Sequence, residues 1–201
     1  LFKGVKLSFV FRIFAQTIKS QTMSIVKIRD KQFRPFIPES EILKRVKEVA
    51  EQINKDMVGK NPLFLAVLNG SFVFAADLMR YITIPSEISF VKLASYQGTA
   101  STGEVKEIFG INEDLTDRTV VIVEDIVDTG YTMKRMLETL GTRSPKSLHI
   151  CTLLLKPDKL KVPLTIDYVA MQIPNDFIVG YGLDYDQQGR NLRDIYTLVD
   201  E

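Results

Sequence analysis

The sequence predicts an α/β protein built on a doubly wound, mostly parallel sheet, and three observations lead to this fold class. Short apolar runs rich in β-branched residues recur along the chain, which is typical of strands buried on both faces. Segments with apolar residues at helical spacing separate these runs, and such alternation indicates a parallel sheet. No internal repeat or linker interrupts residues 23–201, so we expect one domain.

Composition narrows the functional classes. The 201-residue chain is 45% hydrophobic, which is enough to bury a core without disulfides or metals. Its 26 basic and 25 acidic residues nearly cancel, so we expect neither nucleic acid nor a membrane as a partner. The single cysteine, Cys151, cannot form an internal disulfide. This predicts a reducing, cytoplasmic location.

Residues 1–22 differ from the rest because they carry basic but no acidic side chains. Their apolar segment, residues 7–15, is interrupted by Arg12 and is shorter than the ~20 residues that a membrane-spanning helix needs. A short amphipathic targeting segment is an alternative interpretation of these residues. We expect residues 1–22 to be an extension outside the fold, and residues 23–201 to form the domain.

The first elements of the domain are an extended arm and an amphipathic helix. Residues 24–36 predict an entry strand or arm that ends at Pro35 and Pro38. Ser40 is a candidate N-cap for the helix, which we expect to close near Gly59. The apolar positions at helical spacing are Ile42, Val46, Val49 and Ile53.

Two further strands follow, each ending in a polar loop. Residues 63–68 form a buried strand that Asn69-Gly70-Ser71 turns into a helix over residues 72–81. Residues 88–93 predict the next strand, and residues 95–103 are nearly all small and polar. Such a segment is either a loose connection or a lid over a site.

The most informative segment is a β-branched strand that starts at Val120 and ends in the adjacent carboxylates of Glu124 and Asp125. An Asp128-Thr129-Gly130 turn then leads into a helix that Gly141 stops. The apolar residues of that helix are Met133, Met136, Leu137 and Leu140. Ligands of open parallel sheets bind beyond the carboxyl ends of the strands, so these carboxylates are candidate ligand-binding groups.

The same turn has the properties of a phosphate site. The first turn of a helix offers free N–H groups and a positive dipole end. Gly130 permits close approach, and the hydroxyls of Thr129 and Thr132 add donors. Carboxylates would repel a lone phosphate, but a phosphorylated sugar reconciles the two, because carboxylates accept hydrogen bonds from ribose hydroxyls or hold Mg²⁺. The alternative is that Glu124 and Asp125 are solvated charges at a strand end.

The remaining apolar segments predict strands over residues 147–155, 166–172 and 195–199. His149, the only histidine, lies in the first of these, and we expect a structural role because spacing suggests no serine or cysteine partner. Gly180-x-Gly182 does not indicate a dinucleotide site, since the third glycine and the following helix are missing.

The segment from Ile122 to Gly130 closely resembles the phosphoribosyl-pyrophosphate motif of the type I phosphoribosyltransferases, in their hypoxanthine-guanine branch. The similarity extends from about Val26 to the C-terminus. It implies the fold of that family, with a small hood subdomain built by the segments after Leu160. It also implies assembly into a homodimer or homotetramer.

The resemblance assigns roles to residues of this chain. The ribose and its 5′-phosphate would be bound by Glu124, Asp125, Asp128, Thr129, Gly130, Tyr131 and Thr132. The pyrophosphate group would be bound by Asn69, Gly70, Ser95, Tyr96 and Arg190. The purine would be bound by Lys156, Phe177, Ile178 and Asp184. Magnesium would be held by Asp184, Glu124 and Asp125, and Asp128 would act as the general base.

Asn69, Lys156 and the loop after Ser95 carry further expectations. Many relatives have a lysine where this chain has Asn69, so a charged side chain cannot contact pyrophosphate there, although backbone contacts stay possible. Lys156 can only donate hydrogen bonds, which favours a 6-oxo over a 6-amino purine. The loop that begins at Ser95 and Tyr96 is expected to close over the site and exclude water.

The resemblance implies Mg²⁺-dependent transfer of 5-phosphoribosyl from phosphoribosyl pyrophosphate to hypoxanthine, and to guanine, giving IMP or GMP and pyrophosphate. One alternative is a regulator of the same fold that binds phosphoribosyl pyrophosphate without catalysis, with an RNA-binding face as a variant. Another is a phosphoacceptor domain that uses the acidic pair with Mg²⁺, but it leaves residues 177–184 unexplained. A P-loop NTPase is excluded because no Walker A segment is present.

Overall fold

The computed structural model describes residues 24–95 and 105–199. The N-terminal extension and most of the expected lid, including Tyr96, lie outside these residues, and Ser95 is described through its backbone alone. No helix in the described part of the chain is both long enough and apolar enough to cross a bilayer.

Strands and helices alternate through most of the described chain. The strands are β1 (Val26–Ile28), β2 (Lys31–Ile37), β3 (Leu63–Leu68), β4 (Glu87–Ser95), β5 (Val105–Phe109), β6 (Thr119–Val127), β7 (Ser147–Leu155), β8 (Tyr168–Gln172), β9 (Ile178–Val179) and β10 (Ile195–Leu198). The helices are α1 (Glu39–Asp56), α2 (Phe72–Tyr81) and α3 (Tyr131–Gly141), followed by a 3₁₀ helix at Pro157–Lys159.

The main sheet has six strands in the order β5-β4-β3-β6-β7-β8, and all are parallel except β5. After β3 the chain builds outward to β4, then returns to the other side of β3 with β6. The strand order therefore reverses between β3 and β6. A crevice forms at the carboxyl ends of strands at such a switch point, and it is the usual ligand site of these folds.

Apolar side chains cover both faces of this sheet, which confirms the doubly wound α/β fold class. Phe64 and Val121 point into the layer formed with α1 and α2. Leu65 and Ile122, one residue further along, point into the layer formed with α3. Alternation between two buried faces explains why the strands read as continuous apolar runs.

A second, antiparallel sheet forms the hood, in the order β1-β2-β10-β9. The prediction that the segments after Leu160 build the hood is therefore only partly right. The N-terminal hairpin supplies two of the four strands, and β8 joins the main sheet instead. Phe33 of β2 is fully buried against Val179 of β9, so apolar burial draws distant segments together.

Pro35 does not end the entry strand as predicted. It lies inside β2, opposite Tyr196, where the register shifts. It also lies beyond the last residue of β2 that pairs with β1. A proline is tolerated at such a position because its missing N–H interrupts no ladder bond.

Ser40 is not the cap of α1, which begins at Glu39 and has no side-chain cap from its own N-cap residue. Instead the Glu39 N–H donates to Asp194 Oδ1 over 2.7 Å. A carboxylate is a good partner for a helix N-terminus because it satisfies a free donor and opposes the dipole. The cap therefore comes from the hood and ties it to the main domain.

Candidate active site

Three segments meet at the switch point between β3 and β6. A Cβ atom on Gly70 would overlap the carboxylate of Asp125. A Cβ atom on Gly182, whose φ is +99°, would overlap the carbonyl of Gly70. The loop after β3, the acidic end of β6 and a turn of the hood therefore pack directly together. Gly182 permits this close packing, whereas Gly180, whose φ is +99°, packs against the backbone of Asp194.

A side-chain hydrogen bond to the end of β3 anchors the loop that follows this strand. The buried Ser71 hydroxyl donates to the Val67 carbonyl over 2.6 Å. The peptide between Leu68 and Asn69 is cis, and the Asn69 side chain is exposed. The loop thus presents backbone groups beside the acidic pair, where the resemblance expects pyrophosphate contacts.

Glu124 and Asp125 lie inside β6, which continues to Val127 instead of stopping at the carboxylates as predicted. The pairing of β6 with β7 extends to Leu155 and carries the strand past them. Asp125 Oδ1 accepts a hydrogen bond from the Ile126 N–H over 2.8 Å. Glu124 Oε2 is buried and has no partner among the described residues.

The acidic pair is held in an environment that penalises negative charge. Burial raises the pKa of Glu124 well above its usual value, and the adjacent Asp125 raises it further. Burial also raises the pKa of Asp125, while hydrogen bonds and the nearby Arg190 guanidinium oppose that shift. A buried carboxylate oxygen without a donor is costly. A cation or a sugar hydroxyl would satisfy it.

The predicted phosphate turn has the required geometry. Gly130 adopts a φ of +83° at the N-cap of α3, and no side chain caps this helix. A Cβ atom there would lie 2.8 Å from Leu160 Cδ1 and 2.9 Å from Val162 Cγ2, so a side chain would displace both and strain the left-handed backbone that glycine adopts freely. No hydrogen bond among the described residues uses the hydroxyl of Thr129 or Thr132. These donors are free for a phosphate.

Asp128 lies at the start of this turn, between two lysines. Its Oδ2 atom is 2.7 Å from Lys159 Nζ and 3.8 Å from Lys156 Nζ. Its Oδ1 atom is buried and has no partner in the described residues. Sequence reasoning missed Lys159, although a second lysine three residues after Lys156 was a visible signal. The 3₁₀ helix that follows Lys156 makes one tight turn, and this turn brings the Lys159 side chain back to the carboxylate that Lys156 also approaches.

Lys156 directly follows the last residue of β7, and its backbone N–H donates to the Val127 carbonyl over 3.0 Å. The residue is only 6% exposed. Burial lowers its pKa, and Asp128 opposes this shift. Asp176, directly before Phe177, also opposes the lowering of this pKa through its negative charge.

Phe177 projects from the hood as an exposed aromatic platform. Its side chain is 46% exposed, although an apolar residue of this size is usually buried. Its ring packs edge-on against Tyr185 at 5.8 Å and lies 6.2 Å from Phe33. Ile178 is buried and its backbone pairs with Thr197. The aromatic cluster holds Phe177 in place and leaves its exposed ring accessible to a flat ligand.

Asp184 and Arg190 pair with each other. Arg190 Nη2 lies 2.6 Å from Asp184 Oδ1, and its Nη1 donates to the Gly182 carbonyl over 2.8 Å. Asp184 Oδ2 accepts from the Gln187 N–H over 2.8 Å. Within residues 24–95 and 105–199, no three acidic, histidine or cysteine side chains converge as a metal cage. The expected metal ligands Glu124, Asp125 and Asp184 thus do not form a protein-only site.

His149 lies near the start of β7, at the amino ends of the parallel strands and away from the switch point. Its Nδ1 is 2.8 Å from Asp167 Oδ1, and its Nε2 is 3.1 Å from Ser147 Oγ. Ser147 was overlooked as a partner, although residues two apart on a strand share a face and the pairing could have been expected. Asp167 Oδ2 also accepts from the Ile150 N–H, so the group joins β7 to the segment before β8. A structural role agrees with this geometry.

Comparisons with known proteins agree with the assembled site. The model of the phosphoribosyl transferase domain family matches residues 38–186. A hypoxanthine phosphoribosyltransferase from Buchnera aphidicola subsp. Schizaphis graminum is 49% identical over 160 residues, which cover 78% of this chain and 90% of that protein. This identity is high enough for the two chains to share a fold and a family.

Solved structures lead to the same family. A hypoxanthine-guanine phosphoribosyltransferase from Bacillus anthracis has a TM-score of 0.76 and 42% identity, over 86% of this chain and 100% of that one. A hypoxanthine phosphoribosyltransferase from Trypanosoma cruzi, solved in complex with the product IMP, has a TM-score of 0.78 and 38% identity, over 87% and 97% of the two chains. The chain belongs to the phosphoribosyltransferase family, and its relatives are hypoxanthine and hypoxanthine-guanine phosphoribosyltransferases.

Proposed function

We propose that the protein transfers 5-phosphoribosyl from phosphoribosyl pyrophosphate to N9 of hypoxanthine and guanine, releasing pyrophosphate. The observation that carries this proposal is the position of Asp128. It lies at the start of the phosphate turn, and one of its oxygens faces Lys159 and Lys156, the second of which the resemblance assigns to the purine. A phosphate cradle and a base pocket that share one carboxylate suit a reaction between a phosphorylated sugar and a purine.

Each part of the site has a role in this transfer. The turn from Asp128 to Thr132 binds the 5′-phosphate through backbone N–H groups and hydroxyls. Phe177 stacks on the purine, and Lys156 donates to its 6-oxo group. Asp128 accepts the ring proton as N9 attacks the anomeric carbon. Arg190 and the backbone at Gly70 then take the departing pyrophosphate.

Magnesium fits the donor set of this site. Glu124 Oε2 is a buried oxygen without a partner among the described residues, and carboxylate oxygens are ligands that Mg²⁺ prefers. Mg²⁺ usually binds one or two carboxylates together with substrate oxygens, so a protein-only cage is not required. Glu124, Asp125 and Asp184 would hold it directly or through water. When bound, it would neutralise charge that develops on pyrophosphate.

The proposal is tested with the purified full chain, phosphoribosyl pyrophosphate, Mg²⁺ and each purine in turn. We expect IMP and GMP to form, and we expect EDTA to abolish the activity until Mg²⁺ is restored. Nucleotide formation is recorded by chromatography, with heat-denatured protein as the control. Binding of phosphoribosyl pyrophosphate without any nucleotide product would instead favour the non-catalytic regulator. Full activity in EDTA would remove the proposed metal roles.

We also propose a cytoplasmic location and assembly into a homodimer or homotetramer. The lone cysteine, Cys151, is fully buried, which suits a chain that needs no disulfide. Ile88 and Phe90, which share one face of β4, are 38% and 45% exposed, and contiguous apolar surface often marks an interface. Light scattering coupled to size exclusion is expected to give two or four chains per particle. A monomer at micromolar concentration would contradict this.

A further inference from the structure

The two carboxylate oxygens of Asp128 have different surroundings. Oδ1 is buried and has no hydrogen-bond partner among the described residues. Oδ2 lies 2.7 Å from Lys159 Nζ. The side chain of Asp128 is nevertheless 36% exposed. Because Oδ1 contributes almost none of that exposure, Oδ2 is the oxygen that a ligand entering from solvent would reach. Lys159 already occupies it.

The two lysines near this oxygen are held very differently. The side chain of Lys156 is 8% exposed, and its Nζ is 3.8 Å from Oδ2. The side chain of Lys159 is 36% exposed and extends from the last residue of the short 3₁₀ helix. Among the described residues, Asp128 provides the only carboxylate within ion-pair distance of Lys159 Nζ. Partly exposed ion pairs contribute little to stability, so the Lys159 ammonium can leave Oδ2 at a small cost in free energy.

We propose that Lys159 stands in for the ring N–H of the purine while the base pocket is empty, and that purine binding displaces it. This inference rests on the proposed function. Both groups are N–H donors to the same anionic oxygen, and only one can occupy the short contact. In the transfer, N9 forms a bond to the anomeric carbon as the bond to pyrophosphate breaks. The ring N–H bond breaks, its electron pair stays in the purine, and the proton passes to Oδ2.

Competition between the ammonium and the purine has a measurable consequence. The wild-type protein must separate the Lys159–Asp128 pair each time a purine binds, so its KM for the purine is higher than the pocket alone would give. In the proposed function the turn at Asp128 binds the 5′-phosphate through backbone N–H groups and hydroxyls, and a phosphate has no proton to donate to Oδ2 in competition with Lys159. The KM for phosphoribosyl pyrophosphate therefore does not depend on Lys159.

The test compares Lys159→Met with the wild type at saturating phosphoribosyl pyrophosphate and Mg²⁺. We expect the KM for hypoxanthine to fall about twofold to fivefold, with kcat and the KM for phosphoribosyl pyrophosphate within about twofold of wild type. Lys159→Arg is expected to restore the wild-type KM. Lys161→Met is the matched control, because Lys161 lies in the same segment and its side chain is exposed. It should leave all three constants unchanged.

Salt provides a second readout that a purely structural role would not change. Raising ionic strength screens the exposed Lys159–Asp128 pair, so the hypoxanthine KM of the wild type should approach that of Lys159→Met. A rise in the hypoxanthine KM of Lys159→Met, or a tenfold loss of kcat, would overturn the proposal and make Lys159 a positioning group for the base. An equal effect in Lys161→Met would overturn it in favour of general charge. Absence of IMP formation by the wild type would overturn the proposed function itself.

Discussion

Lys156→Met is expected to reduce the discrimination between hypoxanthine and adenine by roughly 10²-fold. Lys156 is a pure donor, and adenine presents an amino donor at the position where hypoxanthine presents an oxygen. A site built around a required hydrogen bond rejects an analogue that lacks the partner by roughly 10⁴-fold. We therefore expect the wild type to use hypoxanthine and nearly ignore adenine.

Methionine keeps much of the packing of the lysine stem while it deletes the donor. The kcat/KM for hypoxanthine should fall by roughly 10²-fold, the expected effect of losing a charged hydrogen bond, whereas that for adenine should change little. The measurement is kcat/KM for both bases in wild type, Lys156→Met and the charge-matched Lys161→Met. A wild type that accepts both bases equally, or an unchanged ratio in Lys156→Met, would show that Lys156 does not face the 6-position.

Asp128→Asn should retain nucleotide binding but lose roughly 10²-fold to 10⁴-fold of kcat. The amide has the shape of the carboxylate and can still accept a hydrogen bond, but it cannot take the ring proton. It also leaves Lys159 and Lys156 without their shared counter-charge. Because the amide keeps the shape of the side chain, binding of IMP should weaken far less than turnover.

The matched control is Asp158→Asn, which removes the same charge from an exposed residue of the neighbouring 3₁₀ helix. It should leave kcat near the wild-type value. The two variants are compared by initial rates and by equilibrium binding of IMP. Equal kcat values for Asp128→Asn and wild type would remove Asp128 from the mechanism. Equal losses in both variants would indicate an effect of net charge alone.

The central part of the site could be predicted because it is contiguous in sequence. The apolar strand, its carboxylates and the turn at Asp128 to Gly130 are local features, and local sequence determines a buried strand and a helix start. The exact bounds of α2 and β7 were predicted for the same reason. The end of β6 was predicted too early, because pairing with β7 carries the strand through Glu124 and Asp125.

Contacts between segments far apart in sequence decided the parts of the fold and of the site that local sequence did not predict. Asp194 caps α1 from the hood, and β2 pairs with β10 although about 160 residues separate them. Neither relation leaves a periodic signal in the chain. The partnership of Arg190 with Asp184 belongs to the same class, since both were assigned to ligands and in the structure they hold each other.

The sequence by itself determined the fold class, the main strands and the residue types available for chemistry. Only the tertiary structure decided which of these side chains contact one another. Three segments meet at Gly70 because glycines permit backbones to touch there. Lys159 reaches Asp128 because the 3₁₀ helix turns it back toward the phosphate turn. Periodicity records which face of an element is buried, but the meeting of two side chains depends on how the elements pack.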